Sequence, residues 1–203
     1  MDWPERVVYF FLAKDETRDS TDQLRLTRIG THAVSSGSGT SLWNRLRTHR
    51  GANSGTYEDG GNHRGSVFRK RVGEAMIEQK GLHDEYPHWG DGSSAGRERR
   101  LSELEHERRV SEYIRDLPFL WIDVDDEPRP ESDRAYIERN AIALVSNYRK
   151  DSLDPRGDDW LGRDSPRDEI SDSGLRNINH VGEQYDMAFL DRLADAVEET
   201  SGL

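Results

Sequence analysis

Arg45 and His49 stand four residues apart in the run Ser41-Leu-Trp-Asn-Arg-Leu-Arg-Thr-His49. A helix there puts both side chains on one face. Upstream, Tyr9 lies inside the triplet Val8-Tyr9-Phe10, and a second triplet, Arg28-Ile29-Gly30, closes another short apolar run. A phenol, a guanidinium and an imidazole brought together suit phosphodiester chemistry. Such a reaction needs a deprotonated water, charge neutralisation at phosphorus and support for the leaving group. The remaining requirement is a carboxylate to hold a divalent metal. Glu138 is the candidate, one position after Ile137 at the edge of an apolar helical stripe. The bland reading of a helical glutamate is a solvated or ion-paired side chain.

The elements that must position these groups can be read from the apolar pattern. Residues 6–12 are β-branched and aromatic, as in a buried strand, and residues 24–29 alternate apolar and polar, as in a half-exposed one. Together they predict an antiparallel hairpin whose polar connection spans 14–22. Thr40 or Ser41 can cap the helix that follows, with Leu42 and Leu46 facing the core. Residues 50–65 are rich in Gly, Asn and His. A helix is expected over 67–79, with Val67, Met76 and Ile77 among its apolar positions. A loop is expected over 80–96, and a mostly exposed, densely charged helix over 98–115. A third strand falls in 117–124. The next helix starts at 130–132, buries Ile137, Ala141, Leu144 and Val145, and ends at Asn147. A short C-terminal helix is expected over 187–197. The Ser/Gly run 35–39 reads as a plain connector, because no Gly-Lys-Ser/Thr follows it.

Composition narrows the setting. A chain of 203 residues makes one ordinary domain with room for an appendage. Its net charge of −11 argues against coating nucleic acid through bulk charge, while leaving room for a local basic cleft. Lysine occurs only at 14, 70, 80 and 150, so the basic groups are mostly arginine. Many carboxylates with few lysines fit a high-salt cytoplasm. There, directed hydrogen bonds from arginine matter more than diffuse potential. The absence of cysteine removes thiol nucleophiles, disulfides and cysteine-based zinc sites, and fits a cytoplasmic protein. No apolar run reaches membrane-spanning length, and the first residues lack a signal-peptide pattern. No His-Glu-x-x-His arrangement supports a zinc hydrolase.

The order of elements (two strands, helix, strand, helix) together with these residues resembles the GIY-YIG nuclease superfamily. Val8-Tyr9-Phe10 stands where the first signature triplet would be, and Arg28-Ile29-Gly30 where the second would be. Arg45 and His49 match the helix that follows, Glu138 the metal-binding glutamate, and Asn147 the asparagine near the domain's end. The strings Arg28-Ile-Gly-Thr-His32 and Ile137-Glu-Arg-Asn-Ala-Ile-Ala-Leu144 look like a prokaryotic branch of the superfamily, and the composition suggests a haloarchaeal one. The resemblance covers residues 6–147. It implies an α+β fold: a small central three-stranded antiparallel or mixed sheet flanked by helices. The nuclease domain would span 1–150, with a helical insertion at about 50–116. A C-terminal extension over 151–203 would pack on it.

The activity so implied is metal-dependent hydrolysis of DNA phosphodiester bonds. Tyr9 would orient or deprotonate the water, Arg45 would donate to the scissile phosphate, and Glu138 would hold one Mg²⁺ or Mn²⁺. The chain departs from the family pattern at Val8, where a glycine is expected, and at Arg28, where a second tyrosine is expected. That leaves His32 or His49 to assist with the proton. Arg28 and Asn147 are expected beside the substrate, with Asn147 bracing the site or capping its helix. Arg64 and Arg69, with Lys70 and Arg71, form a locally basic lobe expected to contact the DNA backbone. Residues 174–180 read as a structural turn, the alternative being a docked segment that lends His180 to the cleft. Duplex cleavage by a one-site enzyme needs a homodimer or two successive events. The alternative function is a nucleic-acid-binding or interaction module on the same fold that has lost cleavage, a reading that Arg28 favours.

Overall fold

The structure is a computed structural model and describes residues 4–201. Its centre is β1 (Val7–Thr17), which pairs antiparallel with β2 (Leu24–Thr31) on one side and β3 (Phe119–Asp123) on the other. The sheet order is β2-β1-β3. A middle strand in a two-sided layer must be apolar on both faces, which accounts for the unbroken run Val7-Val8-Tyr9-Phe10-Phe11. Val7, Tyr9 and Phe11 enter one core with Leu42, Leu46, Phe68, Val110 and Ile114. Val8 enters the other with Ile29, Ile122, Ile137, Ile142 and Phe189.

The first core is covered by α1 (Leu42–Arg50), α2 (Val67–Lys80) and α4 (Leu104–Asp116). The second is covered by α5 (Asp133–Val145) and α7 (Phe189–Ser201). Two short helices, α3 (Arg97–Ser102) and α6 (Asp168–Ser171), complete the helical set. The fold is therefore α+β, with a three-stranded antiparallel sheet between helical layers. No helix among the described residues is long and apolar enough to cross a membrane.

Several boundaries differ from the sequence pattern for physical reasons. β1 continues to Thr17, so the hairpin connection is shorter than 14–22. Val67 opens α2 but is exposed, and Phe68, Val72 and Ala75 supply the buried face beside Met76 and Ile77. The single charged helix expected over 98–115 is broken at Glu103 into α3 and α4. There the Glu103 carboxylate turns inward to accept two hydrogen bonds from Arg64, at 2.6 and 2.8 Å. Nor is α4 mostly exposed: it buries His106, Glu107 and Ser111 beside Val110 and Ile114. A buried face built from polar residues leaves no apolar stripe to read.

The C-terminal segment is built into the domain. Leu175, Val181, Phe189 and Ala196 complete the second core. Just before Val181, the chain runs along the outer edge of β2. Arg176 N–H donates to the Thr27 carbonyl at 2.7 Å. The Asn177 side chain accepts from Ile29 N–H at 3.1 Å and donates to the Ile29 carbonyl at 2.8 Å. An otherwise open strand edge is thereby satisfied.

Candidate active site

Tyr9 is fully buried, and its ring lies across the face of β2. Its cross-strand partner is Gly30. A Cβ at Gly30 would sit 2.4 Å from the tyrosine Cζ and 2.5 Å from its hydroxyl oxygen. Glycine in the second triplet is thus required by the ring of the first.

The helix carrying the other two groups is anchored at its start. Ser41 caps α1 by accepting from Asn44 N–H at 3.2 Å, and Leu42 and Leu46 bury its inner face. That rotation turns Arg45 and His49 towards Tyr9. Arg45 Nε lies 3.5 Å from the Tyr9 hydroxyl, and His49 Nε2 lies 3.3 Å from it. The other imidazole nitrogen, Nδ1, is 2.8 Å from Ser66 Oγ. Ser66 is itself the cap of α2, accepting from Arg69 N–H at 3.2 Å. In the tautomer that carries its hydrogen on Nδ1, Ser66 accepts that hydrogen and Nε2 is left as an acceptor facing the phenol. Burial holds the His49 imidazolium well below the usual histidine range, and Arg28, Arg45 and Arg69 push in the same direction. His49 is therefore neutral at neutral pH, and Arg28, Arg45 and Arg69 weaken it as a base.

Arg28 is buried on the same face of β2, two cross-strand pairs further along, opposite Phe11. Its guanidinium lies 4.7 Å over the Phe68 ring and donates to the Arg176 carbonyl at 3.2 Å, while its Nε has no protein partner. Burial depresses its pKa. Tyr9 opposes that most strongly, Arg45 adds to it, and Glu138 opposes it in turn. Glu138 reaches this cluster from α5. Burial raises its carboxyl pKa, against the pull of Arg28, then of His180, the Thr31 backbone and Arg45. Four separate elements, β1, β2, α1 and α5, thus bring Tyr9, Arg28, Arg45, His49 and Glu138 within one another's electrostatic reach.

The remaining sequence candidates do not touch the Tyr9 hydroxyl, although His32 lies within electrostatic reach of Arg45. His32 is buried, with Nε2 2.9 Å from the Glu5 carbonyl, and burial lowers its pKa. His49 is the imidazole that meets the phenol. Asn147 lies beyond the end of α5 and does not cap it. Its amide donates to the Asp154 carbonyl at 2.9 Å and accepts from Leu153 N–H at 3.1 Å.

Arg69 corrects the expected basic surface, because it is fully interior. Its guanidinium donates to the Glu107 carboxylate, to the carbonyls of His49 and Glu107, each at 2.8 Å, and to Ser111 at 3.0 Å. Arg64 is held by Glu103, and Arg71 donates twice to Glu74, at 2.6 and 2.7 Å. Lys70 bonds the Gly90 carbonyl. Each of these cations already has an internal acceptor.

Sequence reasoning missed Asn177 and carried His180 only as the lesser alternative to a structural turn. Asn177 pins the strand that carries Arg28 and Gly30. His180, in a left-handed conformation with φ of 67°, is directed by a 2.8 Å contact between its Nδ1 and Glu183, and it bears on Glu138. Both belong to a polar stretch that reads locally as a turn. Only docking against β2 gives them their places.

With this geometry in view, comparison with known families is informative. The model of the GIY-YIG domain matches residues 1–203. The chain belongs to the GIY-YIG family. Its members are generally endonucleases that hydrolyse phosphodiester bonds, typically with divalent metal ions. No curated relative and no solved structure matches the chain. The donor set suits a hard divalent ion held by one side chain. The described residues contain no cluster of three His, Asp or Glu groups that could hold a metal. The Glu138 carboxyl is also held up by burial, a condition that a bound cation would relieve. Magnesium is commonly bound by one or two carboxylates, with water and substrate phosphate oxygens completing its shell.

Proposed function

We propose that this GIY-YIG protein is a metal-dependent DNA endonuclease, working in the cytoplasm at high salt, with Tyr9, Arg45, His49, Arg28 and Glu138 as its site. The observation that carries the reading is the meeting of Arg45 and His49 on the single hydroxyl of Tyr9. Arg45 is the half-buried member of that group and the first that an incoming phosphate meets. Drawing its guanidinium onto a phosphate oxygen uncovers the phenol beneath it. Tyr9 then orients the attacking water, and His49 Nε2 accepts the proton that passes through the phenol once the negative charge of the bound phosphate offsets Arg28 and Arg45. Ser66 keeps the imidazole in the required tautomer.

Arg28 cannot act as a base, because guanidinium stays protonated. Its role is a fixed positive charge between phenol and carboxylate, offsetting negative charge that grows at phosphorus. Glu138 would hold one Mg²⁺ or Mn²⁺, which would supply charge to polarise the phosphate and stabilise the departing 3′ oxygen. His180 lies within electrostatic reach of that carboxylate.

The deciding experiment is nicking of supercoiled plasmid with Mg²⁺ or Mn²⁺ over a range of salt concentrations, beside Glu138→Ala, Arg45→Ala and Tyr9→Phe. Nicking by the wild type that all three variants lose is the expected result. Equal nicking by all four proteins would place the chemistry elsewhere. Arg28 in the position of the second tyrosine favours a binding module without cleavage, and DNA binding with no nicking under any of these conditions would select it.

A further inference from the structure

A second cleft, of about 680 Å³, opens beside the candidate site between α1, the loop after it and α3. Its walls carry Arg47, Thr48, Asn53, Tyr57, Asn62 and Arg100, with small residues between them and no carboxylate. In a chain with 40 acidic and 29 basic residues, an acid-free cleft with two arginines is a marked local reversal of charge. Arg47 is exposed, and no ion pair joins it or Arg100 to a carboxylate among the described residues. Arg100 lies flat on Tyr57, 3.7 Å from the ring centroid, and its buried Nε has no partner in the protein. The stacking holds the guanidinium in place and leaves its donors open.

The cleft is also rigidly built. Ala52 N–H donates to the Gly60 carbonyl at 2.7 Å, and Asp59 N–H donates to the Ala52 carbonyl at 3.0 Å. Arg115 ties the base of this loop by donating to the carbonyls of Arg50 and Ala52, each at 3.0 Å. A Cβ at Gly51 would lie 2.2 Å from the Gly60 carbonyl oxygen, so the Gly-rich composition serves close backbone approach. The cleft adjoins the chemistry directly. Thr48 lines it, within one turn of α1, about 5 Å, from Arg45, and Gly65 precedes the Ser66 that holds His49.

We propose that this cleft binds the phosphodiester backbone of the nucleic-acid strand flanking the bond presented to Arg45, with Arg47 and Arg100 as its phosphate contacts. The proposal rests on the nuclease reading for its direction, and its test is separate. Asn53 and Asn62 donate amide hydrogens to the same strand, and Tyr57 serves as the platform for Arg100. The role expected of Arg64 and Arg69 passes to two arginines that the acidic groups of the chain leave free.

The test is binding of a labelled DNA duplex by the full chain, read by fluorescence anisotropy without divalent metal at several salt concentrations. The doubly substituted Arg47→Gln/Arg100→Gln protein is expected to bind about tenfold more weakly. Its log affinity should fall with log salt less steeply by about 2, since each phosphate contact contributes about 0.9. Ser54→Asp puts a carboxylate on the exposed rim without touching either arginine and guards against a folding artefact. It is expected to weaken binding at an unchanged melting temperature. Unchanged affinity and slope in the double variant overturn the proposal, as does a wild type that binds no DNA. Displacement of the duplex by deoxynucleoside monophosphate at equal phosphate concentration also overturns it, in favour of a free-nucleotide site. If the wild type binds DNA but does not nick plasmid, the nuclease reading falls, and the variants still decide the cleft.

Discussion

Arg69 and Arg28 are both buried arginines close to Phe68, and their surroundings differ in one respect. Arg69 is closed off. Glu107 neutralises it, and two carbonyls and Ser111 take its other hydrogens. Burial pushes the Glu107 carboxyl up, yet His63 and Arg69 outweigh it and hold the pKa at about 2. Arg28 has one carbonyl acceptor and a bare Nε, and its nearest counter-charges are a phenol and a carboxyl that burial holds up. Beside it, Arg45 has no carboxylate partner among the described residues, only the Tyr9 hydroxyl. Arg69 is matched by a carboxylate inside the fold, whereas no ion pair joins Arg28 or Arg45 to a carboxylate among the described residues.

Four measurements test that contrast, starting with the largest effect. Glu107→Gln leaves Arg69 buried without its counter-charge and should cost about 3–5 kcal/mol. That corresponds to a fall in melting temperature of about 10 °C for a domain of this size, read by calorimetry. A fall of only a degree or two would mean that the Arg69 network is not holding the lobe. Next come the open groups. Arg45→Ala and Glu138→Gln should each lower the nicking rate by about 10²–10³. Their melting temperatures should stay within a few degrees of wild type, and for Glu138→Gln the shift should not be downward, because a half-buried carboxyl whose pKa is raised by desolvation opposes folding at neutral pH. A large loss of stability in either variant would erase the distinction between the two arginine environments.

Asn177→Ala removes both side-chain bonds to Ile29 and is expected to cost about 1–3 kcal/mol. It should also reduce nicking, because β2 carries Arg28 and Gly30. Full activity at reduced stability would show that the strand edge does not position the site.

The smallest effect is in pH dependence. His49, His32 and His106 have folded pKa values below the ordinary 6.5, so the unfolded chain binds their protons first as the solution is acidified. Their contribution is complete above pH 6.5 and declines below it. Glu107 contributes above 4.5, and that part is lost as pH falls towards about 2. Melting curves should therefore soften in two stages, and Glu107→Gln should remove the lower one. A single unaltered stage in that variant would reject this assignment.

Much of the candidate site could be read locally. The apolar run around Tyr9, the four-residue spacing of Arg45 and His49, and the stripe beside Glu138 are patterns within single elements, and the elements carrying them formed at nearly the expected positions. What could not be read were interactions between polar groups far apart in the chain. Arg69 looks like one member of a surface basic cluster with Lys70 and Arg71, because nothing near it announces Glu107. Asn177 and His180 look like turn residues, because the strand and helix they meet lie far upstream.

From its own order of residues, this chain determined the strands and helices and the tyrosine–glycine, arginine–histidine and glutamate positions, since periodicity and short spacing are local properties. The tertiary structure alone decided which arginines are neutralised and which stay open. That outcome depends on which distant carboxylates and carbonyls packing brings within bonding distance of a guanidinium, and composition carries no record of those distances.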